Sequence, residues 1–204
     1  MKIDRQNQKK EDTHLARLLK NIEKQNMWQK AENKKPASGL LIKDLEVLIS
    51  FTKKKPYGSY AYSIIISQAC DIDSYCKGME KWENEKKAPS RQLITQIMFC
   101  PAFDEEQFTA GIHLKPQYQY VMPSLDSNEK KKYQKLEHKR YHYIYSEIDT
   151  IPNFFIDFRQ YFTLPAKLIM DNLERDDSIL YKLDHLHYID LADRFAFYLQ
   201  RVAI

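Results

Sequence analysis

Glycine and cysteine are both scarce in this sequence, and each scarcity argues against a class of protein. The chain has four glycines among 204 residues and contains neither G-x-x-x-x-G-K-[ST] nor G-x-G-x-x-G, so it lacks the glycine-rich loops that cradle phosphates in nucleotide hydrolases and dinucleotide enzymes. Its three cysteines, Cys70, Cys76 and Cys100, are an odd number, which is typical of reduced thiols and not of a disulfide framework.

Long apolar runs are also missing. No stretch approaches the roughly 20 apolar residues that span a bilayer, and the first ten residues are polar where a signal peptide has its apolar segment. Together with the thiols, this predicts a cytoplasmic protein that does not enter a membrane. The apolar share of 43% and the charged share of 29% are ordinary for a globular domain.

The hydrophobic pattern divides the chain into two parts. In residues 13–31 the apolar side chains Leu15, Leu18, Leu19 and Ile22 recur at three- and four-residue spacing, which predicts a helix. A Pro-Ala-Ser-Gly turn at residues 36–39 follows. We therefore expect an N-terminal helix and basic linker over residues 1–35 and a single domain over residues 36–204.

Residues 36–204 contain several runs with strand character and two regions with helical character. The continuous apolar run in residues 60–68 predicts a strand buried on both faces, paired as a hairpin with a strand at 45–51. Strands are also predicted at residues 92–99, 113–122, 140–145 and 153–158, and short helices or loops at 77–90, 103–108 and 128–139. A first turn is predicted at 165–172, and a long amphipathic helix from about residue 179 to the end. This order predicts an α+β fold: a curled antiparallel sheet or small SH3-like β-barrel, with an N-terminal helix and a long C-terminal amphipathic helix.

One stretch of the domain combines basic and aromatic residues. Residues 128–146 carry six basic and two acidic side chains, and tyrosines are interleaved with them. Such a combination offers stacking surfaces beside charges that attract phosphate, although half-buried strand aromatics beside a solvated turn give the same pattern. The candidate nucleic-acid-binding residues are Lys130, Lys131, Lys132, Lys135, Arg140, Tyr141 and Tyr143.

A second candidate site follows the buried strand. The sequence Ser-Gln-Ala-Cys-Asp-Ile-Asp over residues 67–73 is predicted to be a polar loop, and loops on rigid scaffolds often carry functional groups. Ser67, or Cys70 as a thiolate, together with Asp71 and a histidine such as His142 would form a catalytic group. The alternative is structural, with Asp71 closing a turn and Cys70 acting as a small buried side chain.

The histidines do not form a convincing metal site. His138 and His142 are four residues apart but fall in a segment with strand alternation, and no second Cys or His pair has the short spacing of a zinc site. We expect no metal and no cofactor.

Part of the chain resembles the core of the MazF/PemK-type mRNA interferases. Asp44 precedes Val-Leu-Ile at 47–49, and Ser-Ile-Ile-Ile-Ser at 63–67 and Leu-Ile-Thr-Gln-Ile at 93–97 follow. That family has an SH3-like barrel in which an acidic residue precedes the first strand and a later apolar strand ends in serine. The resemblance covers about a quarter of the chain, and the family's Gly-Glu and Arg-Pro pairs are missing, with Lys-Pro at 55–56 as the nearest match.

Two functional hypotheses follow. The first is a non-catalytic binding or regulatory module that contacts nucleic acid or a protein partner through the basic, tyrosine-rich stretch. The alternative is a ribonuclease-type toxin, similar to the interferases, or another hydrolase that uses residues 67–73. The terminal helices offer a third possibility, an oligomer interface.

Overall fold

A computed structural model describes residues 27–32, 35–47, 58–86, 93–175 and 181–202. Within these ranges the chain forms eight strands, six α-helices and one 3-10 turn. The strands are β1 (Trp28–Lys30), β2 (Leu40–Val47), β3 (Gly58–Ile65), β4 (Gln96–Asp104), β5 (Tyr141–Ile144), β6 (Phe154–Asp157), β7 (Phe162–Pro165) and β8 (Tyr181–Leu183). The helices are α1 (Ala69–Glu85), α2 (Glu105–Thr109), α3 (Lys115–Tyr118), α4 (Ser127–Gln134), α5 (Ala166–Arg175) and α6 (His185–Val202), and the 3-10 turn is Phe158–Gln160.

The strands form one curled, half-barrel sheet in which every pairing is antiparallel. Its order is β1-β8-β2-β3-β4-β6-β5, and β7 also pairs with β4. The nine-residue β4 changes partner along its length: Gln96 to Phe99 pair with β7, and Ala102 to Asp104 pair with β6. The predicted α+β fold with a curled antiparallel sheet is therefore confirmed.

Helices cover both faces of the sheet. Ile64 packs in a cluster with Leu191 and Phe195 of α6, whereas its neighbour Ile65 packs with Ile72 of α1 and Ile169 of α5. Successive side chains of a strand point to opposite faces, so α6 lies on one face and α1 and α5 lie on the other. The continuous apolar run at residues 60–68 reflects this two-sided burial, as predicted.

A third cluster, rich in aromatic rings, lies at the β4–β6–β5 end of the sheet. Phe108 of α2 is at its centre, with ring centroids 4.5 Å from Phe155 and 5.1 Å from Tyr141. Tyr60, Phe103 and Leu114 complete the buried set. The cluster fixes α2, α3 and α4 against the strands.

Two segments differ from their predicted structure. Residues 67–73 are not a loop, because α1 begins at Ala69 with Gln68 as its N-cap. Residues 113–122 are not a strand, because Pro116 lies at the beginning of α3 and Gln119 ends that helix with a φ of 55°. Proline fits the first turn of a helix and interrupts a ladder.

Strand β4 continues through Pro101, where the predicted strand ended. At Pro101 one edge of β4 passes from its pairing with β7 to its pairing with β6. A proline, which has no N–H, is tolerated in a strand where an edge lacks a partner. The local geometry therefore allows a strand that crosses this residue.

The two predicted terminal helices have different outcomes. The long C-terminal helix is confirmed as α6, but it begins at His185, later than predicted, because Tyr181–Leu183 forms β8. The turn predicted at 165–172 lies mostly in the helix α5. For the helix predicted at 13–31, residues 13–26 lie outside the described ranges, and Trp28–Lys30 is a strand paired with β8, so the prediction is wrong there. Residues 48–51 of the predicted strand at 45–51 also lie outside those ranges.

No helix within the described ranges is long and apolar enough to cross a membrane.

Candidate functional site

Helix α4 carries the exposed part of the basic stretch. Asp126 caps it, with Oδ1 accepting hydrogen bonds from the backbone N–H groups of Asn128 (2.7 Å) and Glu129 (2.8 Å), while Glu129 accepts the backbone N–H of Asp126 in return. The bonds to the backbone lower the pKa of Asp126. This capping box fixes where α4 begins and so presents Lys131, Lys132 and Lys135 to solvent.

Lys130 and Tyr143 have a different role from these three lysines. The Lys130 ammonium lies 2.9 Å from Glu105 Oε1, and the Tyr143 hydroxyl donates to Glu105 Oε2 at 3.1 Å. Asn153 Nδ2 and Gln134 Nε2 also donate to Glu105. Burial alone would raise the pKa of Glu105, but these donors outweigh it and lower the pKa. Lys130 and Tyr143 therefore anchor α4 to the sheet.

Arg140 and Tyr141 are also used within the fold. Asp157 is fully buried and accepts from Arg140 through both carboxylate oxygens, Oδ1 at 2.6 Å from Nε. Burial would lower the pKa of Arg140, but the bonds to Asp157 raise it. Tyr141 is 4% exposed and packs against Phe108 and Tyr133. Four of the seven predicted binding residues, Lys130, Arg140, Tyr141 and Tyr143, thus hold the structure together.

The loop after α4 lies against α6. Nη2 of Arg194 is within hydrogen-bond distance of three carbonyls, those of Leu136 (3.0 Å) and His138 (3.4 Å) in the loop and that of Tyr141 (3.2 Å) at the start of β5. Burial lowers the pKa of this guanidinium. Because one α6 side chain bonds two carbonyls of the loop, the loop has a defined position on the helix.

This arrangement places two cations close to an exposed aromatic ring. Phe197 of α6 is 46% exposed. The Lys139 ammonium lies 5.1 Å from the ring centre, and the Arg201 guanidinium carbon lies 5.5 Å from it. A cleft of about 330 Å³ adjoins the ring and is also lined by Glu137 and Asp193.

We call the exposed side chains of this region the Phe197 surface. Its members are Phe197, Lys139 and Arg201, together with Lys131, Lys132 and Lys135 of α4, which the segment held by Arg194 joins to the ring. Glu137 and Asp193 reduce the positive charge in the cleft itself, so the net positive charge is greatest on the α4 side.

Phe197 and Arg201 were missed in the sequence, although a signal was present. Phe195 and Leu191 supply the core contact of α6. On a helix, a residue two positions from Phe195 is rotated about 200° away from it, which places Phe197 on the solvent side. Arg201 follows Phe197 by four residues, the spacing of side-chain neighbours on one helix face.

The candidate catalytic residues are held at the β3–α1 junction. Ser67 Oγ accepts the backbone N–H of Met98 at 2.8 Å, and its carbonyl accepts from Ser38 Oγ and the Tyr188 hydroxyl. Cys70 and Asp71 lie in the first turn of α1 and are exposed. These contacts of Ser67 join β3 to its neighbours and give it a structural role.

His142 lies far along the sheet from that junction. It belongs to β5, which is separated from β3 by β4 and β6, so three strand spacings, about 14 Å, lie between β3 and β5. Its ring is buried and faces α6, with Nδ1 3.9 Å from Asp190 Oδ2. Burial, and then the charges of Arg194 and His187, lower the pKa of His142 to about 3. The structure does not bring His142 to Ser67, Cys70 and Asp71.

In the part of the chain that the structure describes, no three His, Cys, Asp or Glu side chains are grouped so as to hold a metal ion. Comparisons with protein-family models, with curated proteins and with solved structures find no match to this chain.

Proposed function

We propose that the protein binds single-stranded nucleic acid on the Phe197 surface. The observation that carries the proposal is the exposed Phe197 ring with the cations of Lys139 and Arg201 close to it. Every nucleobase has a face that stacks on an aromatic ring, and the phosphates on each side of a stacked base are attracted by cations. A ring with cations close to it matches this repeating chemistry of a single strand.

The three exposed lysines of α4 extend this surface. Among the described residues, Lys131, Lys132 and Lys135 form no close ion pair, in contrast to Lys130 and Arg140. The charge of Lys132 adds to the backbone hydrogen bonds in lowering the pKa of Asp126. Unpaired cations are available to replace the counterions of a phosphate chain, and the release of those counterions favours binding at low salt. We therefore assign the phosphate contacts to these lysines.

The binding mode favours unpaired bases over a duplex. Phe197 stacks only on a base whose face is open, and the bases of a duplex are stacked on each other. The sugar is not distinguished, because the surface offers charge and a ring face and both are common to RNA and DNA.

Fluorescence anisotropy with the full-length chain tests the proposal. The probes are a labelled single-stranded RNA, the single-stranded DNA of the same sequence and the matching duplex, each at about 50 and 200 mM salt. We expect both single strands to bind more tightly than the duplex and to weaken steeply with salt. Equal binding of duplex and single strands, or binding that salt does not change, would contradict the proposal.

The other functional hypotheses have less support. The contacts of Ser67 do not favour a hydrolase, and the interferase activity and SH3-like barrel that the sequence resemblance implies stay predictions. A protein partner and an oligomer built through the terminal helices also stay predictions, as does the cytoplasmic location.

A further inference from the structure

A second cleft lies away from the Phe197 surface, between the β2–β3 hairpin, β4 and the segment after α2. Its volume is about 360 Å³. Tyr60 and Tyr62 of β3 and Phe103 of β4 line it with aromatic rings, and Asp44 and Asp104 contribute carboxylates. The residues that line it include no lysine or arginine.

His113 is the unusual member of this lining. It is 3% exposed, and neither Nδ1 nor Nε2 has a hydrogen-bond partner. Its ring is held between Phe103 and Phe108, at centroid distances of 4.7 Å and 4.5 Å. A buried polar group without a partner costs free energy, so the fold retains a cost here that a ligand in the cleft would remove.

The backbone of the segment that carries His113 is conformationally constrained. Gly111 has a φ of +74°, and a side chain there would meet the carbonyl oxygen of Met122 at 2.1 Å. The same two residues share a backbone hydrogen bond of 2.8 Å, which closes the segment between them into a loop. At the tip of that loop the Tyr118 hydroxyl lies 3.3 Å from the Tyr60 hydroxyl.

The cleft also holds its carboxylates in unusual positions. Asp44 has a φ of 49°, a left-handed conformation that non-glycine residues seldom adopt. Asp104 Oδ1 accepts both backbone N–H groups that begin α2, from Glu106 and Gln107, which fixes this carboxylate. Backbone strain is often retained where it serves binding.

From these groups we infer that the cleft binds a small organic cation with N–H donors, of the amidinium, guanidinium or ammonium class. The carboxylates of Asp44 and Asp104 supply acceptors and negative charge, and the tyrosine and phenylalanine rings attract a cation through their faces. His113 lines the same cleft, and a turn of its ring would bring the buried pyridine-type nitrogen to the ligand as one more acceptor.

The charge state of His113 agrees with a cationic ligand. Burial is the main cause that lowers its pKa to about 4. The charge of Asp157 raises this pKa, and the charge of Arg140 lowers it. The imidazole is therefore neutral at pH 7 and does not repel a cation. The Lys43 ammonium lies 5.7 Å from the centre of the Tyr62 ring. A cationic ligand at that ring would therefore be close to Lys43.

Two probes of the same shape test the inference on the full-length protein. Benzamidine carries the cationic amidinium group, and benzamide is its neutral counterpart. The readout is the ¹⁵N chemical shifts of the histidine ring nitrogens in NMR titrations at pH 7. We expect benzamidine to shift the His113 resonances with a dissociation constant on the order of 1 mM, to leave His142 unchanged, and benzamide to bind at least about tenfold more weakly.

A variant tests whether the Asp44 carboxylate binds the cation. Asp44→Asn keeps a residue that tolerates the left-handed conformation and removes the charge at an exposed position, so we expect benzamidine to bind about tenfold more weakly. Asp171→Asn, on α5, is the matched control and should bind as the wild type does. An unmoved His113 resonance, equal binding of the two probes, or an Asp44→Asn variant with wild-type affinity would overturn the inference. None of these results depends on nucleic-acid binding, so a result that contradicts this inference leaves the proposed function untouched, and the reverse also holds.

Discussion

Lys139 and Phe197 come from different elements, and the Lys139 ammonium lies 5.1 Å from the centre of the Phe197 ring. Arg194 holds the two elements together, because it belongs to α6 and bonds the carbonyls on both sides of Lys139. The exposed ring and its cation are therefore positioned by a partly buried side chain of α6, and the surface is formed before any ligand binds.

The first prediction concerns the exposed ring. Phe197→Ala should weaken binding of single-stranded RNA by about 5- to 100-fold, because stacking of one base on an aromatic ring contributes about 1–3 kcal/mol. Anisotropy titration of the two proteins measures the change.

Trp82→Ala is the control for this prediction. Trp82 is 44% exposed and lies on α1, which packs on the opposite face of the sheet from α6. The variant should bind as the wild type does, and an equal loss in both variants would mean that Phe197 is not a specific stacking site.

The second prediction concerns the buried ion pair. Asp157→Asn should lower the free energy of unfolding by about 3–5 kcal/mol, because it leaves the half-buried Arg140 guanidinium without its charged partner. Urea denaturation measures the loss. Asp171→Asn, which removes the exposed partner of Lys167, should cost less than about 1 kcal/mol, and losses of similar size in both variants would argue against a structural role for Arg140.

The third prediction concerns pH. The folded protein keeps His142 neutral, with a pKa of about 3, below the ordinary histidine value of 6.5. The unfolded chain binds this proton first as pH falls, so the contribution of His142 is present above about pH 6.5 and is lost progressively towards pH 3. Between pH 7.5 and 5 the loss amounts to about 2 kcal/mol.

His142→Leu isolates that contribution. The free energy of unfolding of this variant, measured in urea, should fall about 2 kcal/mol less than that of the wild type between pH 7.5 and 5. His185→Leu changes an exposed histidine of α6 and should retain the wild-type pH dependence. If His142→Leu and the wild type lose the same stability, His142 is not the group responsible.

The sequence predicts those strands in which the order of apolar and polar residues follows the burial of successive side chains. Ile64 and Ile65 are adjacent in β3 and both fully buried, so other elements must cover both faces of that strand. The continuous apolar run in the sequence indicates this two-sided burial. The alternation in Tyr141–Ile144 predicts β5 for a similar reason, because its side chains alternate between two clusters.

Helix α1 was harder to recognise because little of it is buried. Its buried residues are Ile72, Tyr75 and Cys76, and the polar residues around them resemble a loop. Ile72, Tyr75 and Cys76 nevertheless follow the three- and four-residue spacing of a helix, and Met79 continues it, so a short local signal was present. These side chains reach the cluster that contains Ile65.

The division of the basic residues into structural and exposed groups depends on contacts that are distant in sequence. Arg140 and Asp157 meet because strand register pairs Tyr141 with Asp157, and Lys130 meets Glu105 because α2 and α4 pack on the same aromatic cluster. Charge counting treats all these lysines and arginines alike. Only the packing separates Lys131, Lys132 and Lys135 from their neighbours.

The most direct test of nucleic-acid binding compares two triple variants with the same change in charge. One is Lys131→Ala, Lys132→Ala and Lys135→Ala on α4. The other is Lys77→Ala, Lys81→Ala and Lys167→Ala, three exposed lysines of α1 and α5 on the face opposite α6. Anisotropy with a labelled single-stranded RNA gives the dissociation constant of each at several salt concentrations.

We predict that the α4 variant binds about 100-fold more weakly than the wild type at 50 mM salt. The slope of log K against log salt should fall by about 2 in magnitude, because each single-strand phosphate contact contributes about 0.7. The α1 and α5 variant should stay close to the wild type in both quantities. Equal losses in the two variants, or wild-type binding by the α4 variant, would contradict the assignment of nucleic-acid binding to the Phe197 surface.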